Sequence, residues 1–159
     1  MSERLPTRLA HCLESEPVVV ATVLATRGAT PRKPGTRMLV TATATEATIG
    51  GGELEVRVIA AARALLASGS PSAELPITLD GQPGAAGVCG GAMRIALRRW
   101  HGAVDQTRAA TIAAQLRAGS PVTLDASDLG AEGASEVLHP DPRLLIVGDL
   151  RVPRVVAQY

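Results

Sequence analysis

The chain has 159 residues, with 16 basic and 15 acidic side chains and a formal net charge of +1. That length suits one domain, or one domain plus a fragment of another, and a domain of this size buries roughly 70% of its unfolded surface, so it needs no disulfide framework. The only aromatic side chains are Trp100 and Tyr159, which excludes the stacking platforms of a single-strand binder, and the near-zero charge excludes the basic field that a phosphate backbone requires.

In chain order, residues 2–15 read as a helix, because Leu5, Leu9 and Leu13 recur every four residues and make one apolar stripe. Residues 17–26 are rich in valine, bounded by Pro17 and Gly28, and read as a buried strand. A Pro/Gly loop leads to a second strand over 36–40, and a short third strand is expected over 47–49. Gly50-Gly51-Gly52 then opens a helix over 53–67, with Leu54, Val58, Ala61, Ala62 and Leu65 on one face. Gly69 followed by Pro71 stops it in the usual order, glycine then proline. Further strands are predicted over 75–79 and 93–97, a helix over 104–118 and a short strand over 121–124. Trp100 reads as an edge packing residue.

Residues 125–142 carry little apolar periodicity and several turn formers, the pattern of a linker or mobile loop. Residues 143–159 open with Leu144-Leu145-Ile146-Val147-Gly148, which reads as the first strand of a nucleotide-binding unit, followed by a short helix. Only one of the three glycines of a dinucleotide fingerprint is present there, so no NAD binding is expected. The organisation expected is a small N-terminal α/β domain over 1–124 with a mixed sheet and flanking helices, a linker over 125–142, and a truncated Rossmann-like strand and helix over 143–159.

Cys12 and Cys89 lie far apart and form no zinc-ligand spacing with His11, His101 and His139. The first residues have charges and a proline where a signal peptide needs an apolar run, and no apolar run approaches the ~20 residues that span a bilayer. The expectation is a cytoplasmic protein with neither membrane nor nucleic acid as partner.

Three glycine-bearing segments concentrate the chemistry. In Gly87-Val88-Cys89-Gly90-Gly91 the glycines leave the thiol without flanking side chains to bury it and let a ligand approach closely; the bland alternative is a small buried hydrophobe. Gly50-Gly51-Gly52 lies between a strand and a helix, where free N–H groups hold anions. Glu53 and Glu55 in the first turn would repel a phosphate there and favour a plain tight turn. The loop from Arg27 to Arg37 carries Arg27, Arg32, Lys33 and Arg37 around two prolines. It reads equally as a stiff anion grip or as a solvated hairpin loop. Serine nucleophile and closely spaced histidine patterns are absent, and Glu53 and Glu55, two apart on a helix, do not face each other.

Taken together, Arg27-Gly28-Ala29-Thr30-Pro31-Arg32, Pro34-Gly35-Thr36-Arg37-Met38, Ile49-Gly50-Gly51-Gly52 with Leu54-Glu55, and Cys89-Gly90-Gly91 resemble the XdhC/CoxI family. These are the accessory factors of xanthine dehydrogenase and related molybdenum hydroxylases, and the Ile-Gly-Gly-Gly form leans towards the xanthine dehydrogenase branch. The resemblance covers residues 15–100 and implies an N-terminal α/β domain followed by a Rossmann-like one. It implies a non-catalytic protein that binds the molybdenum cofactor as cargo, supports its sulfuration by a cysteine desulfurase and passes it to the hydroxylase. On this reading Cys89, Gly90, Gly91, Gly50, Gly51, Gly52, Arg27, Arg32 and Arg37 contact the cofactor, and Cys89 faces the molybdenum.

Two departures stand out. The turn reads Gly148-Asp149-Leu150-Arg151-Val152 where relatives have a Gly-Ala-Gly-His-Val type, and Val88 precedes Cys89 where some relatives have two adjacent cysteines. Two other readings stay open: a thiol-dependent sulfur-transfer protein using Cys89, and a cofactor-free interaction module. A homodimer that exchanges the C-terminal tail is also expected.

Overall fold

A computed structural model describes residues 4–142. The expected remnant over 143–159 lies outside the described residues. Eleven elements follow one another: α1 (Arg4–Cys12), β1 (Val18–Arg27), β2 (Arg37–Val40), β3 (Thr45–Glu46), α2 (Gly52–Ser68), β4 (Ser72–Leu79), β5 (Gly91–Trp100), α3 (Gly102–Arg117), β6 (Val122–Leu124), α4 (Ala126–Leu129) and β7 (Glu136–Leu138).

Five strands form a sheet in the order β3-β2-β1-β5-β4, and β6 and β7 form a separate pair. The α/β class with flanking helices is as read from the sequence. The sheet is not mixed, however: every neighbouring pair is antiparallel. The reason lies in the connection that α2 makes. It carries the chain from β3 at one edge to β4 at the other. These strands run in the same direction but never become neighbours, so no parallel ladder arises.

Strand alternation divides the core in two. Val19, Ala21 and Val23 of β1 pack with Met38, Val40, Ile95 and Leu97 under Leu54, Val58, Ala62 and Leu65 of α2. Val18 and Val20 point the other way, with Leu39 and Trp100, against Leu9 of α1 and Ala109, Ile112 and Leu116 of α3. The result is a three-layer sandwich, α2 over the sheet and α1 with α3 beneath it. Helix α2 ends at Gly69, whose φ of 73° closes a left-handed C-cap. Trp100 is not at an edge. Strand β5 is an inner strand, and the indole is buried in the second core with the Arg98 guanidinium 4.5 Å from its ring centroid.

Two local expectations need correction. The third strand comprises Thr45 and Glu46 rather than residues 47–49. Ala47 takes a positive φ of 66°, which ends the strand and begins the turn into α2. Residues 125–142 are not a linker. Asp125 accepts hydrogen bonds from the Ser127 and Asp128 amides in a capping box that starts α4. Leu129, Ala131 and Leu138 are buried, and β7 pairs with β6. The Arg108 guanidinium clamps the Asp128 carboxylate, and this hydrogen bond raises the arginine's pKa. The segment therefore completes the second core.

Candidate functional site

Antiparallel register sends three connections to one end of the sheet. Arg27, the last residue of β1, pairs with Ala92 at the start of β5, and Leu79, the last of β4, pairs with Gly91. The arginine loop leaves β1 there and the Cys89 loop leaves β4 there. The turn after β3, which carries the triple glycine, rises to the same end, since β3 runs in the direction of β1. The opposite end holds none of the three.

The loops touch backbone to backbone. A Cβ on Gly28 would lie 2.9 Å from the Gly90 carbonyl oxygen and 3.1 Å from the Gly91 Cα. A Cβ on Gly91 would strike the carbonyl oxygen of Ala29 and approach that of Arg27 to 2.6 Å. On the other side, a Cβ on Gly50 would lie 2.8 Å from Pro31 Cγ. The arginine loop is thus wedged between the triple-glycine turn and the Cys89 loop, and glycine is what permits the approach.

The Cys89 loop is held by its backbone. Gly90 donates to the Leu79 carbonyl at 2.6 Å, Ala86 to that of Thr78 at 2.8 Å and Gly81 to that of Gly87 at 2.9 Å. From α2 the Arg57 guanidinium donates to the carbonyls of Gly84 and Ala85 at 2.6 and 3.3 Å, while its Nε meets Glu53 at 3.0 Å. Held in this way, the loop presents Cys89 to solvent with Val88 beside it, 86% exposed. The exposed-thiol reading is the one the structure bears out. Cys12, by contrast, is half-buried beside the second core, and burial raises its pKa.

Arg27, Arg32 and Lys33 are exposed on the wedged loop, and no hydrogen bond or ion pair engages their side chains among the described residues. Arg37 is different. Its side chain is 3% exposed and donates to Glu136 Oε2 at 2.6 Å and to the Gly35 carbonyl at 3.1 Å. It sits one strand residue into β2, on the face of Leu39, and belongs to the packing of β7 rather than to the exposed loop.

The triple glycine is also not the open anion seat of the functional reading. The Glu55 carboxylate folds back over the turn. Its Oε2 accepts from the Thr48 hydroxyl at 2.5 Å, the Gly51 amide at 3.1 Å and the Ile49 amide at 3.2 Å. These hydrogen bonds, the one from Thr48 foremost, hold its pKa below the usual glutamate range. Sequence reasoning treated Glu55 as an obstacle to phosphate and missed that it is the turn's own ligand. Glu55 stands four residues after the Gly51 N-cap, one beyond the capping-box position, so no standard capping pattern marked it. Arg57, which anchors the Cys89 loop, was missed because its partners are distant carbonyls. Among the described residues no group of three or more His, Cys, Asp or Glu side chains could hold a metal ion, and no helix is long and apolar enough to cross a membrane.

The class so defined is a three-layer α/β domain with three glycine-rich loops, one bearing an exposed thiol, gathered at one end of an antiparallel sheet. Residues 12–77 match the model of the XdhC and CoxI family, in agreement with the motifs of that span. The matched span includes the arginine loop and the triple glycine; the Cys89 loop lies beyond it. No curated protein matches the chain. A crystal structure described as a xanthine dehydrogenase from Bacillus halodurans has the same fold, with a TM-score of 0.67 at 22% identity over 77% of this chain. The chain spans 37% of that protein's length.

Proposed function

We propose that this chain is a non-catalytic accessory module that holds the molybdenum cofactor as cargo for a xanthine dehydrogenase-type hydroxylase. The observation that carries the reading is the meeting of the three family motifs at one end of the sheet, with Gly28 against Gly90 and Gly91, and Gly50 against Pro31. The family match over residues 12–77 supports the accessory role.

The cargo that the family implies is a pterin with a dithiolene and a phosphate. Among the described residues Arg27, Arg32 and Lys33 carry free cationic side chains at this end and suit its anionic groups. The exposed Cys89 thiol suits the soft metal–sulfur end. Gly90, exposed and with nothing within 4 Å of a Cβ position, adds no side chain between the thiol and a flat ligand, whereas Gly91 is buried against the arginine loop. Arg37 and the amides of Ile49 and Gly51 take no part, because both are engaged internally.

The test is to purify the chain from a cofactor-producing host and measure bound molybdenum and pterin fluorescence. Cys89→Ala is expected to lower cofactor loading at least about tenfold, a loss of 1.4 kcal/mol or more, while melting is unchanged, since the side chain is exposed. Equal loading in both proteins refutes the role of Cys89. A persulfide on Cys89 after incubation with a cysteine desulfurase, without cofactor binding, replaces the reading with sulfur transfer.

A further inference from the structure

We infer that the Glu55 carboxylate is the resident anion of the triple-glycine turn, a positioning group that closes this seat to ligands and leaves their anionic end to Arg27, Arg32 and Lys33 across Pro31. The inference rests on the reading that the three loops form one ligand surface.

Three successive backbone N–H groups in such a turn make an anion-binding concavity. Here all three have internal acceptors. The amides of Ile49 and Gly51 donate to Glu55 Oε2, and the amide of Gly50 donates to Thr48 Oγ1 at 3.2 Å. The Thr48 hydroxyl then donates to the same Glu55 oxygen. One carboxylate oxygen therefore organises the turn from Ile49 to Gly51, directly or through Thr48. Glu53, paired with Arg57, adds a second negative charge to the first turn of α2. A phosphate entering this seat would have to displace one carboxylate while facing another.

The turn so fixed is also a wall. Gly50 packs against Pro31, and Pro31 lies in the centre of the loop that carries the free cations. Glu55 touches none of these cations, but it sets the surface on which their loop rests.

The experiment is a backbone amide NMR titration of the full chain with inorganic pyrophosphate. In the parent protein, saturable shifts are expected at Arg27, Gly28, Thr30, Arg32 and Lys33 and none at Ile49, Gly50 and Gly51. In Glu55→Ala a saturable response is expected to appear at Ile49 and Gly51. Glu55→Gln keeps the length and one accepting oxygen but not the charge; it keeps the variant arm readable if Glu55→Ala fails to fold, and a response at Gly51 is expected there too. Turn amides that respond in the parent as strongly as in the variants would overturn the resident-anion assignment, and so would variants whose turn stays silent. A turn that responds only in the variants, with a silent arginine loop throughout, would sustain Glu55's role and overturn the ligand surface on which the loop's share depends.

Discussion

The Arg37 guanidinium donates to the Glu136 carboxylate, Nη2 to Oε2 at 2.6 Å and Nη1 to Oε1 at 3.3 Å, and joins β2 to β7 across 99 residues of sequence. One bidentate pair corrects two expectations together: a cation assigned to the ligand and a segment assigned to a linker. Gly35 packs on the same carboxylate; a Cβ there would lie 2.9 Å from Glu136 Oε1. The end of the arginine loop is thus fixed from beneath by the last described strand.

Glu136→Ala is expected to leave the Arg37 charge buried without this partner. Breaking a fully buried pair costs about 3–5 kcal/mol. Glu136 is 32% exposed, so water offsets part of the loss and a cost of about 1–3 kcal/mol is expected. Urea unfolding would read it as a lower midpoint at unchanged slope. Pyrophosphate affinity should stay within about twofold of the parent. An unchanged midpoint would show that the pair is not structural; a lost affinity at normal stability would return Arg37 to the ligand site.

Gly91→Ala and Gly52→Ala separate close approach from backbone conformation. At Gly91 the new methyl meets two backbone carbonyl oxygens of the arginine loop, and neither can swing away as a side chain could. Overpacking of that kind costs about 1–3 kcal/mol. At Gly52 the φ of 59° is strained for alanine, by roughly 1–2 kcal/mol, but nothing lies within 4 Å. Both variants should therefore lose stability. Only Gly91→Ala should push the arginine loop off the Cys89 loop and change the rate at which iodoacetamide labels Cys89. Equal labelling rates in the two variants would mean that the loops are not mechanically joined.

Much of this architecture is legible in the sequence because its signals are local. The valines of β1, the apolar face of α2 and the Gly69 stop each follow from a few adjacent residues. The failures have long-range causes. Arg37 seemed to share a surface with Arg27 and Arg32 because all three lie within eleven residues; the entry into β2 instead turns it to the face of Leu39. Residues 125–142 look polar because their buried members, Leu129, Ala131 and Leu138, fall on a short helix, a turn and a strand with no common period. The Asp125 capping box was a local signal that could have been read. The three motif loops could be found in the sequence, but their meeting follows from strand register, which no single segment encodes.

Binding at the arginine loop should weaken with salt, because exposed charges are screened over ~8–10 Å at moderate ionic strength. Arg32→Ala should lower pyrophosphate affinity by about threefold to tenfold and flatten the salt dependence, with stability within about 0.5 kcal/mol of the parent. A fluorescence or NMR titration at low and high sodium chloride reads both. Salt-independent affinity that Arg32→Ala leaves untouched would move the anion site away from this loop.

The Glu55 turn makes the domain's stability depend on acid in a defined direction. The hydrogen bond from Thr48, with those from the Gly51 and Ile49 amides, holds the folded carboxyl below its ordinary value, so the unfolded chain binds the proton more readily than the folded one. The contribution is complete above the unfolded value, near 4.5, and is lost as pH falls through the lower folded value. Asp105 shifts in the same direction: burial acts to raise its pKa, but hydrogen bonds from Arg98 and the His101 amide outweigh burial. The parent's acid dependence alone therefore does not isolate Glu55. The difference in melting temperature between the parent and Glu55→Gln does, since both proteins carry Asp105. That difference should be largest above the ordinary glutamate range and shrink as pH falls through and below it. A difference that stays constant across this range would mean that the carboxylate's charge contributes nothing to holding the turn.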